Sequence, residues 1–383
     1  MKNNKYEIDM CNGTLMDKLI SFALPLMLSG MLQLMFNAVD IIVVGRFTGS
    51  TALAAVGSTT ALISTFTNLF IGVSLGANVL AARFYATGKA KEMSETVHTA
   101  IALAAISGVV MCIIGIAAAR EALVLIDTPD DVIGQAALYL RLYFCGMPFF
   151  MLYNYGAAIL RAVGDTKRPL MYLIIAGSTN AVLDLVLVII FKMGVAGVAI
   201  GTVTSQLISC ILVIRCLMTT ESDYKLRIRD LRIRKYYLLQ ILSVGLPAGI
   251  QSTVINFSNV LLQSSVNSFG EIAMAGYTAA NNILGFLYVS VNSITQACMS
   301  FTSQNYGVRK FKRMDKVLID CMILSVIVSV VIGGGSYILG RQILGIYTNQ
   351  SEVIECGMEI LSISTIPYFL CGIMDMLPGA MRG

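Results

Sequence analysis

The 383 residues include no tryptophan and a single histidine, and only 13% of them are charged. Soluble domains carry about a quarter charged residues, so charge this sparse excludes an ordinary water-soluble fold. With His98 alone there is no His-Glu-x-x-His metal motif, and neither a Walker phosphate loop nor a Gly-x-Ser-x-Gly nucleophile elbow occurs. The nine cysteines are scattered without a Cys-x-x-Cys pair, which argues against a zinc site or a disulfide framework. They read instead as small buried hydrophobes. The segment Met1 to Thr14 lacks the charged, apolar and cleavage regions of a secretory signal, so the first apolar run is expected to be retained as a membrane helix. No gap between apolar runs has room for a soluble catalytic domain, and the expectation is a protein that is not an enzyme.

What is present is apolar sequence, 56% by count with a mean hydropathy of +0.77. Runs of about 20 apolar residues recur along the whole chain, each long enough to cross a bilayer core of about 30 Å. They predict an all-α polytopic membrane protein with ten helices, near 18–44, 52–80, 95–119, 133–160, 170–191, 195–217, 237–266, 272–303, 316–340 and 353–381. Basic residues set the orientation. With the N-terminus on one side, that side receives 22 of the Lys and Arg residues and the other receives 5. This places the N-terminus and the basic linker at 218–236 in the cytoplasm, in a protein of the plasma membrane. The linker's charge is thereby explained by topology, and no nucleic-acid partner is expected.

The chain repeats itself. Pro25 in Ala-Leu-Pro-Leu has a counterpart in Pro247 of Gly-Leu-Pro-Ala, and Pro148 and Pro367 each precede an aromatic pair. Leu53-Ala54-Ala55 after Gly49 resembles Ile272-Ala273-Met274-Ala275 after Gly270. Six helices per half keep both halves facing the same way, one of the repeat symmetries found in secondary transporters. The expected organisation is a six-helix lobe at 1–217, the linker at 218–236, and a second lobe at 237–383 with four helices present. Two pseudo-symmetric lobes would total twelve helices, and a parent chain about 60–80 residues longer is expected on the argument that symmetric packing would otherwise leave one lobe open.

Against this apolar background the acids stand out. An ionised Asp at a helix centre costs about 2.5–3.5 kcal/mol on insertion scales, so intramembrane acids are functional candidates. Asp40 closes the series Gln33, Asn37, Asp40, which share a helix face above Pro25, a point where a missing backbone hydrogen bond lets the helix bend. The alternative is an Asp40 solvated near the helix end or paired with Arg46. Asp184 follows Asn180 by one turn, and Gln206 follows Thr202 in the same way. These could equally be interhelical hydrogen-bonding groups. Asp375 is a third acid, at the place Gly156 holds in the first half. Two carboxyl groups with an amide and a hydroxyl suit either a proton, because desolvated carboxyl groups exchange protons nearer neutrality, or sodium held by hard oxygen ligands.

These residues resemble the multidrug and toxic compound extrusion (MATE) family. The resemblance rests on Pro25, on Gln33 to Gly45 ending Asp-Ile-Ile-Val-Val-Gly, on Leu160-Arg161-Ala-Val-Gly-Asp-Thr-Lys, on Asn180-x-x-x-Asp184, and on the stretch Gly197 to Gln206. It implies a secondary antiporter exporting cationic lipophilic compounds in exchange for protons or sodium, acting as a monomer in the bilayer with no cofactor besides the coupling ion. Asp40, Asn180, Asp184 and Thr202 would form the cation-coupling cluster, with sodium as a possible occupant. Gln33, Asn37, Asn154, Gln206 and Asp375 would line the substrate cavity, with Pro25 as hinge. The chain departs from the family's NorM branch, which has a glutamate in helix seven where Gln251 to Asn259 holds no acid. Other readings are a flippase of a lipid-linked precursor in the same superfamily, a membrane-embedded enzyme, and a channel. The first would want a basic cavity, the second a nucleophile or metal cluster, and the third would not need paired lobes.

Overall fold

The computed structural model describes residues 6–126, 128–348 and 350–383. Among these it forms thirteen α-helices and no strand. They are α1 (Met16–Phe47), α2 (Ser50–Ala86), α3 (Ala90–Leu125), α4 (Asp130–Cys145), α5 (Met147–Ala162), α6 (Lys167–Leu185), α7 (Val195–Thr219), α8 (Lys235–Asn267), α9 (Glu271–Gly307), α10 (Phe311–Ile338), α11 (Gly340–Tyr347), α12 (Ser351–Thr365) and α13 (Tyr368–Arg382). Among the described residues, eight candidate spans are long and apolar enough to cross a membrane alone, and two bent pairs bring the number to ten.

The bent pairs correct two sequence expectations. The runs at 133–160 and 353–381 are not single helices: α4 and α5 meet at 46°, and α12 and α13 at 48°. Each break falls at a proline, Pro148 in the first turn of α5 and Pro367 capping α13. Proline disfavours helical backbone in the residue before it and removes a donor, so the helix restarts there. The repeat is also visible in backbone detail. Gly49 and Gly270 cap α2 and α9 with φ of 95° and 94°, a left-handed conformation that glycine adopts without strain. Pro25, by contrast, lies inside an unbroken α1, where Ser29 Oγ donates to its carbonyl at 2.7 Å.

By packing, the chain divides into two compact units. One holds Leu32–Val254 with the segment ending at Glu7, and the other holds Ile8–Met31 with Ile255–Gly383. Both internal boundaries fall within helices, α1 and α8, whereas the lobes expected from the repeat follow chain order.

In the first unit, α2 meets α8 through glycines on both sides. A Cβ on Gly72 would lie 2.2 Å from Gly249 Cα, and one on Gly76 would lie 2.1 Å from the Ile241 carbonyl. Reciprocally, Gly245 and Gly249 press on Val73 and Leu69. Small residues four apart on each helix let the backbones touch, which is how helices associate where lipid removes the usual hydrophobic drive. The linker between α7 and α8 is docked on α3. Arg227 N–H donates to His98 Nε2 at 3.0 Å, Arg234 N–H donates to Thr99 Oγ1, and Glu95 pairs with Arg232 and Arg234. The single histidine thus holds the linker. The second unit packs Leu19, Phe22 and Leu26 of α1 on Ile294, Cys298 and Phe301 of α9. The Phe22 and Phe301 rings meet edge to face at 5.6 Å.

Candidate functional site

Asn180 and Asp184 sit one turn apart on α6, so they share a face, and both are buried against α7. The Asn180 amide donates to Asp184 Oδ1 at 3.3 Å. What admits the carboxyl group is Gly201 of α7, where a Cβ would lie 2.1 Å from Asp184 Oδ1. The helical path also changes beside the acid, since Val186–Ile190 forms a π turn. Such turns are rare in proteins and concentrate at functional positions.

The outer half of α1 brings the second acid. Phe36 lies against Gly177 of α6, where a Cβ would come within 1.9 Å of its ring. One turn later Asp40, half-buried, presents its carboxyl group within hydrogen-bonding reach of Asp184. Asp40 Oδ1 and Asp184 Oδ2 are buried with no hydrogen-bond partner. Two carboxyl groups at this range cannot both hold full negative charge without a proton or cation between them. The donor set of two carboxylates and the Asn180 amide fits either a proton or a hard cation.

Sequence reasoning missed the aromatic wall of this site. Tyr139, buried on α4, lies within electrostatic reach of both acids. One turn on, Tyr143 lies beside Gln206 and within electrostatic reach of Asp40. Gln206 is held close because Gly146 faces it, a Cβ there falling 2.3 Å from Gln206 Oε1. The signal available in the sequence was a pair of tyrosines four apart, one turn of helix, on either side of Arg141.

The other expected residues are spread over α1, α5, α7 and α13. The Thr202 hydroxyl is half-buried and donates to the Val198 carbonyl of its own helix at 3.0 Å. The Asn154 amide likewise donates to Phe150 O at 2.8 Å. Gln33 and Asn37 stand exposed on the α1 face that leads to Asp40. Asp375 belongs to the second unit, half-buried on α13, with Tyr288, Tyr368 and Arg382 as its electrostatic neighbours. Pro25 is buried in the same unit.

An all-α bundle of eight to ten spans with an acid pair enclosed between helices defines the class as a polytopic membrane transporter. The MatE family model matches residues 25–186 and 247–383, and the chain belongs to that family of multidrug efflux transporters, which is not an enzyme family. Over 94% of its length it is 30% identical to the probable multidrug resistance protein YoeA of Bacillus subtilis, covering 80% of that protein. It is 22% identical over 95% of its length to the multidrug export protein MepA of Staphylococcus aureus, again covering 80%. Among solved structures, a multidrug resistance MATE family transporter of the MOP superfamily in an outward-facing conformation superposes with a TM-score of 0.92 at 21% identity. That match covers all of this chain and 86% of the other.

Proposed function

We propose that the chain is an ion-coupled exporter of cationic lipophilic compounds, driven by a proton or sodium ion bound between Asp40 and Asp184. The observation that carries this reading is the facing acid pair with two buried, unpartnered oxygens. A proton or cation neutralises the pair and draws Asp40 to Asp184. Its release leaves two like charges in a medium of low dielectric, which drives the outer half of α1 away from α6. The ion's affinity therefore differs between the two positions of α1, and that difference is what couples ion to substrate. Pro25 is the place in α1 where such a displacement bends the helix, because it removes one backbone hydrogen bond. Thr202 and Asn180 complete the oxygen set for sodium. Gln33, Asn37, Asn154, Gln206 and Asp375 offer polar contacts to a substrate.

The same reading puts the protein in the plasma membrane as a monomer with its N-terminus in the cytoplasm, following the 22-to-5 distribution of basic residues. Homologues named as a multidrug resistance protein and a multidrug export protein support the substrate class. The test is efflux of a fluorescent lipophilic cation from proteoliposomes under separately imposed proton and sodium gradients. Asp40→Asn is expected to lower gradient-driven efflux by about tenfold or more, the equivalent of roughly 1.4 kcal/mol of lost coupling. Efflux by Asp40→Asn equal to the parent would refute the proposal.

A further inference from the structure

A second site is suggested by the turn between α9 and α10, in the second unit. Val308 N–H, Arg309 N–H and Lys310 N–H donate to the carbonyls of Gln304, Tyr306 and Asn305. The turn between α2 and α3 has the same bonds, from Thr87, Gly88 and Lys89 to Arg83, Tyr85 and Phe84. There the left-handed position is Gly88, with φ of 64°, whereas its counterpart is Arg309, with φ of 58°. A side chain with a Cβ is strained in that region and glycine is not. The repeat thus shows that glycine suffices to build the turn, yet an arginine occupies it in the second copy.

The surroundings of Arg309 have one chemical character. Arg309, Lys310, Phe311, Lys312 and Arg313 line a recess of about 400 Å³. Lys310 Nζ and the Arg313 guanidinium are fixed on carbonyls of the N-terminal segment, Lys310 on Cys11 and Arg313 on Met10, Asn12 and Gly13. Lys310 also donates to Asn12 Oδ1. These acceptors are neutral, and the carboxylate of the segment, Asp9, accepts from Cys11 and Asn12 and lies beside Lys18. Arg309 and Lys312 are both exposed. The first turn of α10 holds no acid, so the partial positive charge of the helix N-terminus adds to theirs. Asp315 and Asp320 follow in the next two turns, against five cations between Arg309 and Lys316.

Apolar surface runs from this recess along the span. Phe311 and Tyr306 are both exposed and meet edge to face at 6.2 Å, the kind of ring pair that sits at a membrane interface. On α10 the residues Val317, Cys321, Ser325, Ser329 and Gly333 are buried. The opposite face exposes Lys312 and Lys316, then Ile319, Ile323, Ile327 and Val330. Two lysines therefore head a stripe of exposed aliphatic side chains at three- and four-residue spacing, all on one side of a membrane-crossing helix.

We infer that this recess and stripe bind an anionic phospholipid, its phosphate held by Arg309 and Lys312 at the start of α10 and its acyl chain lying along Ile319, Ile323 and Ile327. Free phosphate shares the headgroup chemistry but gains nothing from the aliphatic stripe. The inference rests on the membrane-spanning fold and is independent of the ion-coupling proposal.

The test is native mass spectrometry of the full chain, delipidated in detergent and titrated with phosphatidylglycerol or phosphatidylcholine. Phosphatidylglycerol is expected to add one tightly retained molecule at concentrations about tenfold lower than phosphatidylcholine. The double variant Arg309→Gln/Lys312→Gln should remove that preference, and Arg309→Lys/Lys312→Arg should restore it. Lys89→Gln/Lys91→Gln, which removes two cations from the turn between α2 and α3, serves as the control and should leave the preference intact. The inference fails if the control variant loses the preference equally, since binding would then be diffuse electrostatics. It fails too if millimolar inorganic phosphate displaces the retained lipid completely, or if the double variant, with an unchanged melting temperature, still prefers phosphatidylglycerol.

Discussion

Asp184 is enclosed by a geometry that tolerates almost no addition. Its Oδ1 accepts from Asn180 and lies where a Cβ on Gly201 would fall, at 2.1 Å. Gly201→Ala leaves every polar group of the site in place, yet α7 or the carboxyl group must give way. Overpacking of this kind costs about 1–3 kcal/mol. The expected outcome is a lowered melting temperature together with loss of ion-driven efflux, although both acids remain. A variant that melts lower but exports normally would show that Gly201 serves packing alone. Thr202, its neighbour, already donates to its own helix. Thr202→Val, which keeps the side-chain shape and removes the hydroxyl, should accordingly change efflux little unless sodium is the coupling ion.

At the scale of elements, the most demanding contact is that of α2 with α8. Gly72 and Gly76 face a backbone and leave no room for side chains, as do Gly245 and Gly249 from the other helix. Gly76→Ala would press a methyl group against the Ile241 carbonyl, and the helices must separate along their contact. A destabilisation of about 1–3 kcal/mol is expected, read as a lower thermal midpoint of the purified protein. Gly134→Ala is the comparison, because nothing lies within 4 Å of a Cβ there and no loss is expected. The two bent pairs belong to this scale as well. Their proline positions were visible in the sequence, but the hydropathy of each run is continuous, so apolar length alone read each as one helix.

For the whole molecule, orientation is the property most directly accessible to experiment. The basic residues divide 22 to 5 between the two sides of the proposed topology. Lys and Arg are retained on the cytoplasmic side during insertion, so this asymmetry is what the proposed direction of the bundle rests on. A reporter active only in the cytoplasm is expected to work when fused at residue 1 or within the linker at 221–223. It should be silent at 192–194, between α6 and α7. Activity at 192–194 with silence at residue 1 would invert the topology and with it the direction of transport.

Composition and periodicity by themselves determined the class of this protein, because a bilayer leaves few ways to satisfy a backbone and each apolar run must become a helix. The acids were legible for the same reason: Asp40 and Asp184 are anomalies in lipid, and one-turn spacing places Asn180 beside Asp184. Helix partners were not legible, since lipid-facing and helix-facing positions are equally apolar. The tertiary structure decided that Asp40 meets Asp184, that Tyr139 and Tyr143 stand beside them, and that Gly201 makes the room. It also gave Thr202 and Asn154 to their own backbones. These outcomes depend on which glycines let two helices touch, a property of pairs of surfaces that no single run of sequence records.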